Sequence, residues 1–131
     1  QIFFIDVADN LSVFMSQIAR IFAAYLPLEA SEDTFMLTSD ADLWPIMKGL
    51  YNITETGKEM LLLNSQCCGH FTHEGKQYRM FPMGHIGMPR RVWKEVMDVQ
   101  PENLKKNFPD MVMAEAKRMF NTITVDNVQH G

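Results

Sequence analysis

Cysteine is scarce in this chain, and nothing in the sequence marks a disulfide scaffold. The 131 residues include only two cysteines, Cys67 and Cys68, and these are adjacent. Adjacent cysteines rarely bridge each other and there is no third cysteine, so an internal disulfide framework is excluded. We expect the pair to be two small buried side chains rather than metal ligands.

An excess of positive charge and long apolar runs are also lacking. Twelve Lys and Arg residues stand against 16 Asp and Glu residues, a net charge of −4, which argues against general binding to nucleic acid or anionic membranes. No apolar run approaches the roughly 20 residues of a membrane span. The chain opens with Gln1 rather than Met, which predicts a processed product or a fragment. Sequons at Asn10 and Asn52 matter only in the secretory pathway, so the compartment stays open.

What is present is an alternation of strand-like and helical patterns in a chain long enough for one domain. Ile2–Val7 resembles a buried strand, and an apolar helix follows over Leu11–Leu26. Phe35–Ser39 is the next strand, at the spacing that a right-handed β–α–β crossover needs. Glu59–Asn64 is a third candidate strand. These patterns predict an α/β fold with a mainly parallel sheet and flanking helices.

Two carboxylates stand where the strand Phe35–Ser39 would end, at Asp40 and Asp42. Ligands bind at that end of the strands in an open α/β sheet. Carboxylates one residue apart repel each other unless a cation or strong donors compensate, and oxygen ligands of this kind suit Mg²⁺ or Mn²⁺. The pattern predicts a metal–diphosphate site beside Trp44, which offers a flat apolar wall.

Arg20 lies on the narrow polar stripe of the predicted Leu11–Leu26 helix. A helix this apolar is buried, so Arg20 needs an anionic partner. That partner is either an internal acid such as Asp40, or the phosphates of a bound nucleotide. In both cases we predict that Arg20, Asp40 and Asp42 converge in one pocket.

A second informative stretch is Phe81–Pro89, in which Gly84 and Gly87 stand three residues apart between prolines. Glycines permit close approach of the backbone to a ligand or to another segment, and a tight structural turn is the equal alternative. His85 has the strongest functional case among the four histidines because its neighbours are glycines. Pro89 suits the first turn of a helix over Arg90–Asp98.

The strand with its Ser39-Asp-Ala-Asp42 block, the following Trp44-Pro45 and the preceding Arg20 helix resemble the nucleotide-sugar glycosyltransferases of the GT-A fold. The resemblance covers residues 3 to 97. It implies a single, partial GT-A-like domain over residues 1–131 that uses Mn²⁺ or Mg²⁺. The implied reaction moves a sugar from a nucleotide-diphosphate sugar to a glycan or other hydroxyl acceptor. The implied contacts are Arg20, Ser39 and Asp40 to the nucleotide, Asp40 and Asp42 to the metal, and Trp44, Gly84, His85 and Gly87 to the acceptor.

The chain departs from that family in its length and in its acid–base residues. It has residues for only about the second half of a GT-A domain, so another chain would be needed to complete the sheet. His130 is late enough to be the C-terminal metal ligand of such enzymes, but no diagnostic residues surround it. No residue is identified as a catalytic base. The alternative function is therefore a non-catalytic binding or assembly module derived from a half-domain, whose open sheet edges attract a partner.

Overall fold

The computed structural model describes residues 2–40, 49, 58–64, 68–80 and 84–120. Within them lie the helices α1 (Asp9–Ile18), α2 (Arg90–Met97) and α3 (Phe108–Phe120), and the strands β1 (Phe35–Ser39), β2 (Leu61–Leu62), β3 (His70–His73), β4 (Lys76–Arg79) and β5 (His85–Pro89). Two 3₁₀ segments, Ala19–Tyr25 and Asn103–Lys105, follow α1 and precede α3. The chain divides into two compact units, Gln1–Ala30 with Trp93–Gly131, and Ser31–Val92.

The main sheet has the order β1-β5-β2, and both of its strand pairs are antiparallel. The prediction of a mainly parallel sheet is therefore wrong. The predicted strand Phe35–Ser39 is confirmed, whereas Glu59–Asn64 contributes only Leu61–Leu62. The physical reason is β5, which lies between the other two strands and was not predicted as a strand. Continuous apolar runs are typical of parallel sheets, but here the direction is set by the antiparallel pairing of β1 and β2 with β5.

Ile2–Val7 was expected to be a buried strand, but among the described residues it belongs to no sheet. Its burial alternates from residue to residue, with Ile2 83% and Phe4 95% exposed. It makes no hydrogen bond to any other described residue. Its half-buried side chains line an open groove of about 340 Å³, formed by Phe3, Ile5, Val7, Ser12, Met15, Ser16 and Ala19. The segment therefore has the periodicity of a strand without a described strand partner.

The predicted Leu11–Leu26 helix is confirmed in position but changes geometry along its length. It begins as α1 at Asp9 and becomes a 3₁₀ helix at Ala19. It ends at Leu26, which is extended (φ −62°, ψ 150°) because the α region is disfavoured before Pro27. No helix in the described part of the chain has the length and apolar character needed to cross a membrane.

A buried carboxylate joins α3 to the chain that follows α2. Glu115 has no exposed surface, and its Oε1 accepts hydrogen bonds from the backbone N–H of Gln100 (3.0 Å) and from Asn103 Nδ2 (2.7 Å). Arg118 Nε donates to the other oxygen at 2.6 Å. Burial by itself raises the pKa of Glu115, but these three donors outweigh it and lower the pKa below its ordinary value.

Strands β3 and β4 pair with each other to form a separate antiparallel hairpin. The sequence predicts a polar loop over Gly69–Gly75 and a short strand after it, so the hairpin corrects the first half of that expectation. At its tip Glu74 (φ 48°) and Gly75 (φ 74°) are both left-handed, as a type I′ turn requires. Just before β3, Cys68 is disulfide-bonded rather than a free thiol, which differs from the expected unbridged pair.

Candidate functional site

The pairing of β1 with β5 brings the two informative stretches of the sequence to one end of the sheet. Ser39 is the register partner of His85, and Ser39 Oγ lies 3.3 Å from His85 Nε2. One residue further, the Asp40 N–H donates to the carbonyl of Gly84 at 3.2 Å. Ser39 and Asp40, expected on the donor side, therefore contact Gly84 and His85, expected on the acceptor side.

The register of this pairing is held from inside the sheet by Thr38. Its side chain is buried, and its Oγ1 donates to the carbonyl of Ile86, its register partner, at 3.2 Å. A slip of one residue would turn every side chain of β1 to the other face of the sheet. Burial of Thr38 therefore fixes which side chains project at the Ser39–His85 end.

Gly87 is the point of closest approach between β5 and β1. A Cβ atom at Gly87 would lie 2.5 Å from Cζ and 2.7 Å from Cε1 of Phe35. The sequence left open whether these glycines allow the backbone to approach a ligand or another segment of the chain. At Gly87 the close approach is to another segment, at the ring of Phe35. A role for Gly87 at the acceptor remains a prediction.

The start of α2 is tied to the loop that leads into β1. The N–H groups of Arg90 and Arg91 donate to the carbonyls of Thr34 and Glu32, each at 2.9 Å. The Arg91 guanidinium also pairs with Glu59, and with Asp33 at 3.2 Å, contacts that raise its pKa. These hydrogen bonds and ion pairs connect α2 to the loop that precedes β1, and so help to hold β1 in place.

The side chains at this end of the sheet offer a carboxylate, a hydroxyl and an imidazole. Asp40, Ser39 and His85 are each half-buried, so they are held by the fold and still reachable from solvent. Ser39 Oγ also donates to its neighbour's carbonyl, that of Asp40, at 3.1 Å. Of these three groups, the carboxylate is the ligand type that suits Mn²⁺ or Mg²⁺.

Three of the predicted site residues, Asp42, Trp44 and His130, lie outside the described residues. Within the described part of the chain, no three His, Cys, Asp or Glu side chains cluster closely enough to hold a metal ion. Of the two predicted metal ligands, Asp40 lies in the described ranges and Asp42 does not.

Arg20 is half-buried, and its Nε donates to the carbonyl of Gln17 at 3.0 Å. This local bond uses one of its five N–H groups. Arg20 belongs to the unit of residues 1–30 and 93–131, whereas Asp40 belongs to the unit of residues 31–92. The convergence of Arg20 with Asp40 and Asp42 stays a prediction.

The sequence reasoning missed an exposed aromatic pair on the β3–β4 hairpin. The rings of Phe71 and Tyr78 stack across the strands, with centroids 5.5 Å apart and an interplanar angle of 25°. They remain 47% and 42% exposed. The available sequence signal was Gly75 between two short runs that each contain an aromatic residue, because a glycine between two strand-like runs favours a hairpin.

Comparisons with known proteins supply no further assignment. No family model, no curated protein and no solved structure matches this chain.

Proposed function

We propose that this chain is part of a metal-dependent glycosyltransferase, which moves a sugar from a nucleotide-diphosphate sugar to a hydroxyl acceptor. The observation that carries the proposal is the contact of Ser39 and Asp40 with Gly84 and His85. The contacting residues Ser39 and His85 are 46 residues apart in the chain, and the resemblance assigns the two stretches to opposite sides of such a site. A transferase needs its donor and acceptor groups within one short span, since reacting atoms must approach to about 3–3.5 Å.

Asp40 and Asp42 are the residues that would hold a divalent cation, Mn²⁺ or Mg²⁺. The cation, when bound, supplies Lewis-acid stabilisation of the charge that develops on the diphosphate leaving group. Asp40 is well suited to hold it, because its own N–H is fixed to the Gly84 carbonyl. That bond limits the directions that its carboxylate can take.

Ser39 and His85 have complementary roles in this proposal. The Ser39 hydroxyl lies beside Asp40, where it can hydrogen-bond to the ribose or phosphates of the donor. The His85 imidazole, 3.3 Å from that hydroxyl, is placed to hydrogen-bond to the acceptor hydroxyl. Its orientation is set by the pairing of Ser39 with His85, so it acts from a rigid strand rather than from a loop.

The proposal is tested by calorimetry of UDP and GDP with and without Mn²⁺. We expect one nucleotide to bind at least about tenfold more tightly with the metal, and the metal to gain the same factor from that nucleotide. Asp40→Asn and Asp42→Asn should each abolish the coupling, because a neutral amide replaces the carboxylate. Asp6→Asn makes the same change on the exposed N-terminal segment and should leave the coupling intact. Absence of coupling with both nucleotides would contradict the proposal.

A second candidate, a non-catalytic binding or assembly module, is favoured by the segment Ile2–Val7. Its backbone groups are unpaired among the described residues, and Ile2 and Phe4 are exposed. Such a segment is typical of a strand that adds to the sheet of another chain. Coupled binding of metal and nucleotide without sugar transfer to any hydroxyl acceptor would favour this module over the enzyme.

A further inference from the structure

The β3–β4 hairpin presents one face that carries both aromatic rings and positive charge. Phe71 pairs with Tyr78 and His73 pairs with Lys76. Because side chains two residues apart on a strand share a face, these four side chains project on the same side. All of the residues of both strands are exposed.

The aromatic pair on this face is arranged as a surface and not as part of a core. The rings stack on each other, with centroids 5.5 Å apart, and close to half of each residue is exposed to solvent. The face of an aromatic ring carries negative charge density and attracts the weakly positive C–H groups of a ligand. Sugar rings present flat arrays of such C–H groups, flanked by hydroxyls that remain hydrated.

The charge of the hairpin is opposite in sign to that of the chain as a whole. Its strands carry two histidines, one lysine and one arginine and no acidic residue, namely His70, His73, Lys76 and Arg79. Glu74 stands in the turn, 4.0 Å from His73. Lys76 forms no ion pair with any residue in the described ranges. Of the four strand residues, Lys76 and His73 share the face of the aromatic pair, and in a chain of net charge −4 a cation at this position favours an anionic ligand.

The hairpin is also attached close to the candidate site. The Met80 N–H donates to the Gly69 carbonyl at 3.0 Å and closes the base of the hairpin. Residues 81–83 alone separate Met80 from Gly84, whose carbonyl accepts the Asp40 N–H. Four residue steps span at most about 14 Å. The base of the hairpin therefore lies within the length of a short oligosaccharide from Asp40.

We propose that the hairpin face formed by Phe71, His73, Lys76 and Tyr78 binds an acidic saccharide, a carbohydrate chain that carries carboxylate or sulfate groups. The two rings pack against the C–H faces of sugar units, and Lys76, with His73 when protonated, pairs with the acidic groups. The saccharide is the acceptor of the Asp40 site, an identification that rests on the proposed function.

The first test is a nuclear magnetic resonance titration of the full chain, without metal or nucleotide. The acidic probes are a heparin-derived hexasaccharide and a hexamer of galacturonic acid, and maltohexaose is the neutral counterpart. We expect at least one acidic probe to shift the ring signals of Phe71 and Tyr78 and to bind about tenfold or more tightly than maltohexaose. Ring signals that do not move with either acidic probe, or equal binding of maltohexaose, would overturn the proposal.

Two other classes of anion are included as competitors. Oligo-dT hexamers would find the same combination of rings and cations if the surface served single-stranded nucleic acid. Phosphatidylserine vesicles would do so if it served a membrane. Tighter binding of either one than of both acidic hexasaccharides overturns the assignment to carbohydrate.

Matched variants locate the binding surface. Phe71→Leu removes a flat ring and Lys76→Gln removes a charge, and each should weaken binding of the acidic hexasaccharide by about fivefold or more. Phe120→Leu and Lys106→Gln make the same changes at exposed positions off the hairpin and should leave it unchanged. Hairpin variants that bind like the parent chain would overturn the proposal. A variant that loses the amide contacts between β3 and β4 no longer has a folded hairpin and does not count as a test. The proposal is then tested by whether the acidic probes shift the ring signals of Phe71 and Tyr78 in the parent chain.

The two proposals fail in distinguishable ways. Asp40→Asn should lose the coupling of Mn²⁺ to nucleotide and keep saccharide binding, whereas Lys76→Gln should do the reverse. Saccharide binding without coupling of Mn²⁺ to nucleotide would support the saccharide-binding face and contradict the proposed transferase. Coupling without saccharide binding would contradict only the proposal that the hairpin face binds an acidic saccharide.

Discussion

Glu115 shows at the scale of one residue how a charge can lie inside the fold. It has no exposed surface, yet three donors from different parts of the chain reach its two oxygens. Arg118 in turn donates to the carbonyl of Asp98 at 3.1 Å. An unpaired carboxylate at this position would be strongly destabilising, so the carboxylate and its donors act as a unit.

Replacing this carboxylate by an amide should destabilise the chain in a pH-dependent manner. Glu115→Gln removes the charge that accepts from Asn103 and Arg118, so we expect a loss of about 2 kcal/mol at pH 7. Because folding lowers the pKa of Glu115, its contribution is present above the ordinary carboxyl pKa. That contribution is lost as the pH falls through the lowered value.

Urea unfolding at pH 7 and at pH 3 measures the effect. The difference between the parent chain and Glu115→Gln should shrink at the lower pH. The exposed Glu102→Gln variant is the control and should cost little at either pH. A Glu115→Gln deficit that is as large at pH 3 as at pH 7 would contradict the assigned pKa direction.

Gly87 gives a second prediction at this scale. Gly87→Ala places a methyl group against the ring of Phe35, and overpacking of this kind costs about 1–3 kcal/mol in the free energy of unfolding. The cost should fall when Phe35→Leu is combined with it, because the two sites are in direct contact. Gly49→Ala is the control, since nothing lies within 4 Å of a Cβ there. Additive effects in the double variant would show that Phe35 is not the obstacle.

At the scale of elements, β1 and α2 could be predicted from the sequence, but β5 could not. The apolar run Phe35–Ser39 and the helix after Pro89 have local signals, and both are found. In β5, two glycines near prolines favour a turn. The partner that makes β5 a strand is β1, 46 residues away at Ser39 and His85. Strand formation there depends on distant packing, which local propensity does not contain.

The hairpin turn carries a prediction at the same scale. Glu74 adopts φ 48°, a left-handed conformation that Asn tolerates better than Glu. Glu74→Asn should therefore stabilise the β3–β4 hairpin by on the order of 0.5–1 kcal/mol, as Asn-Gly is a preferred type I′ pair. Amide hydrogen exchange in β3 and β4 measures this, and Glu74→Gln controls for loss of the charge. Faster exchange in Glu74→Asn than in the parent chain would speak against the turn assignment.

At the scale of the whole molecule, the direction of the sheet was the part that sequence could not predict. The predicted β–α–β unit assumed that strands which follow each other in the chain pair with each other in the sheet. The observed order places β5 between β1 and β2, and in such an order consecutive strands of the chain need not pair. The sequence indicated functional roles for Ser39 and Asp40 and for Gly84 and His85, but it did not predict their contact. That contact requires the antiparallel register of β1 and β5.

The separateness of the β3–β4 hairpin has a consequence for how such a chain can diverge. Its principal contacts are between its own two strands, so its length and side chains can change with little effect on the core. The Ser39–His85 end depends instead on Thr38 and on the Phe35–Gly87 contact, which tolerate little change. If both proposals hold, related proteins could differ in the hairpin and in the saccharide that it binds, while the residues at the Ser39–His85 end stay the same.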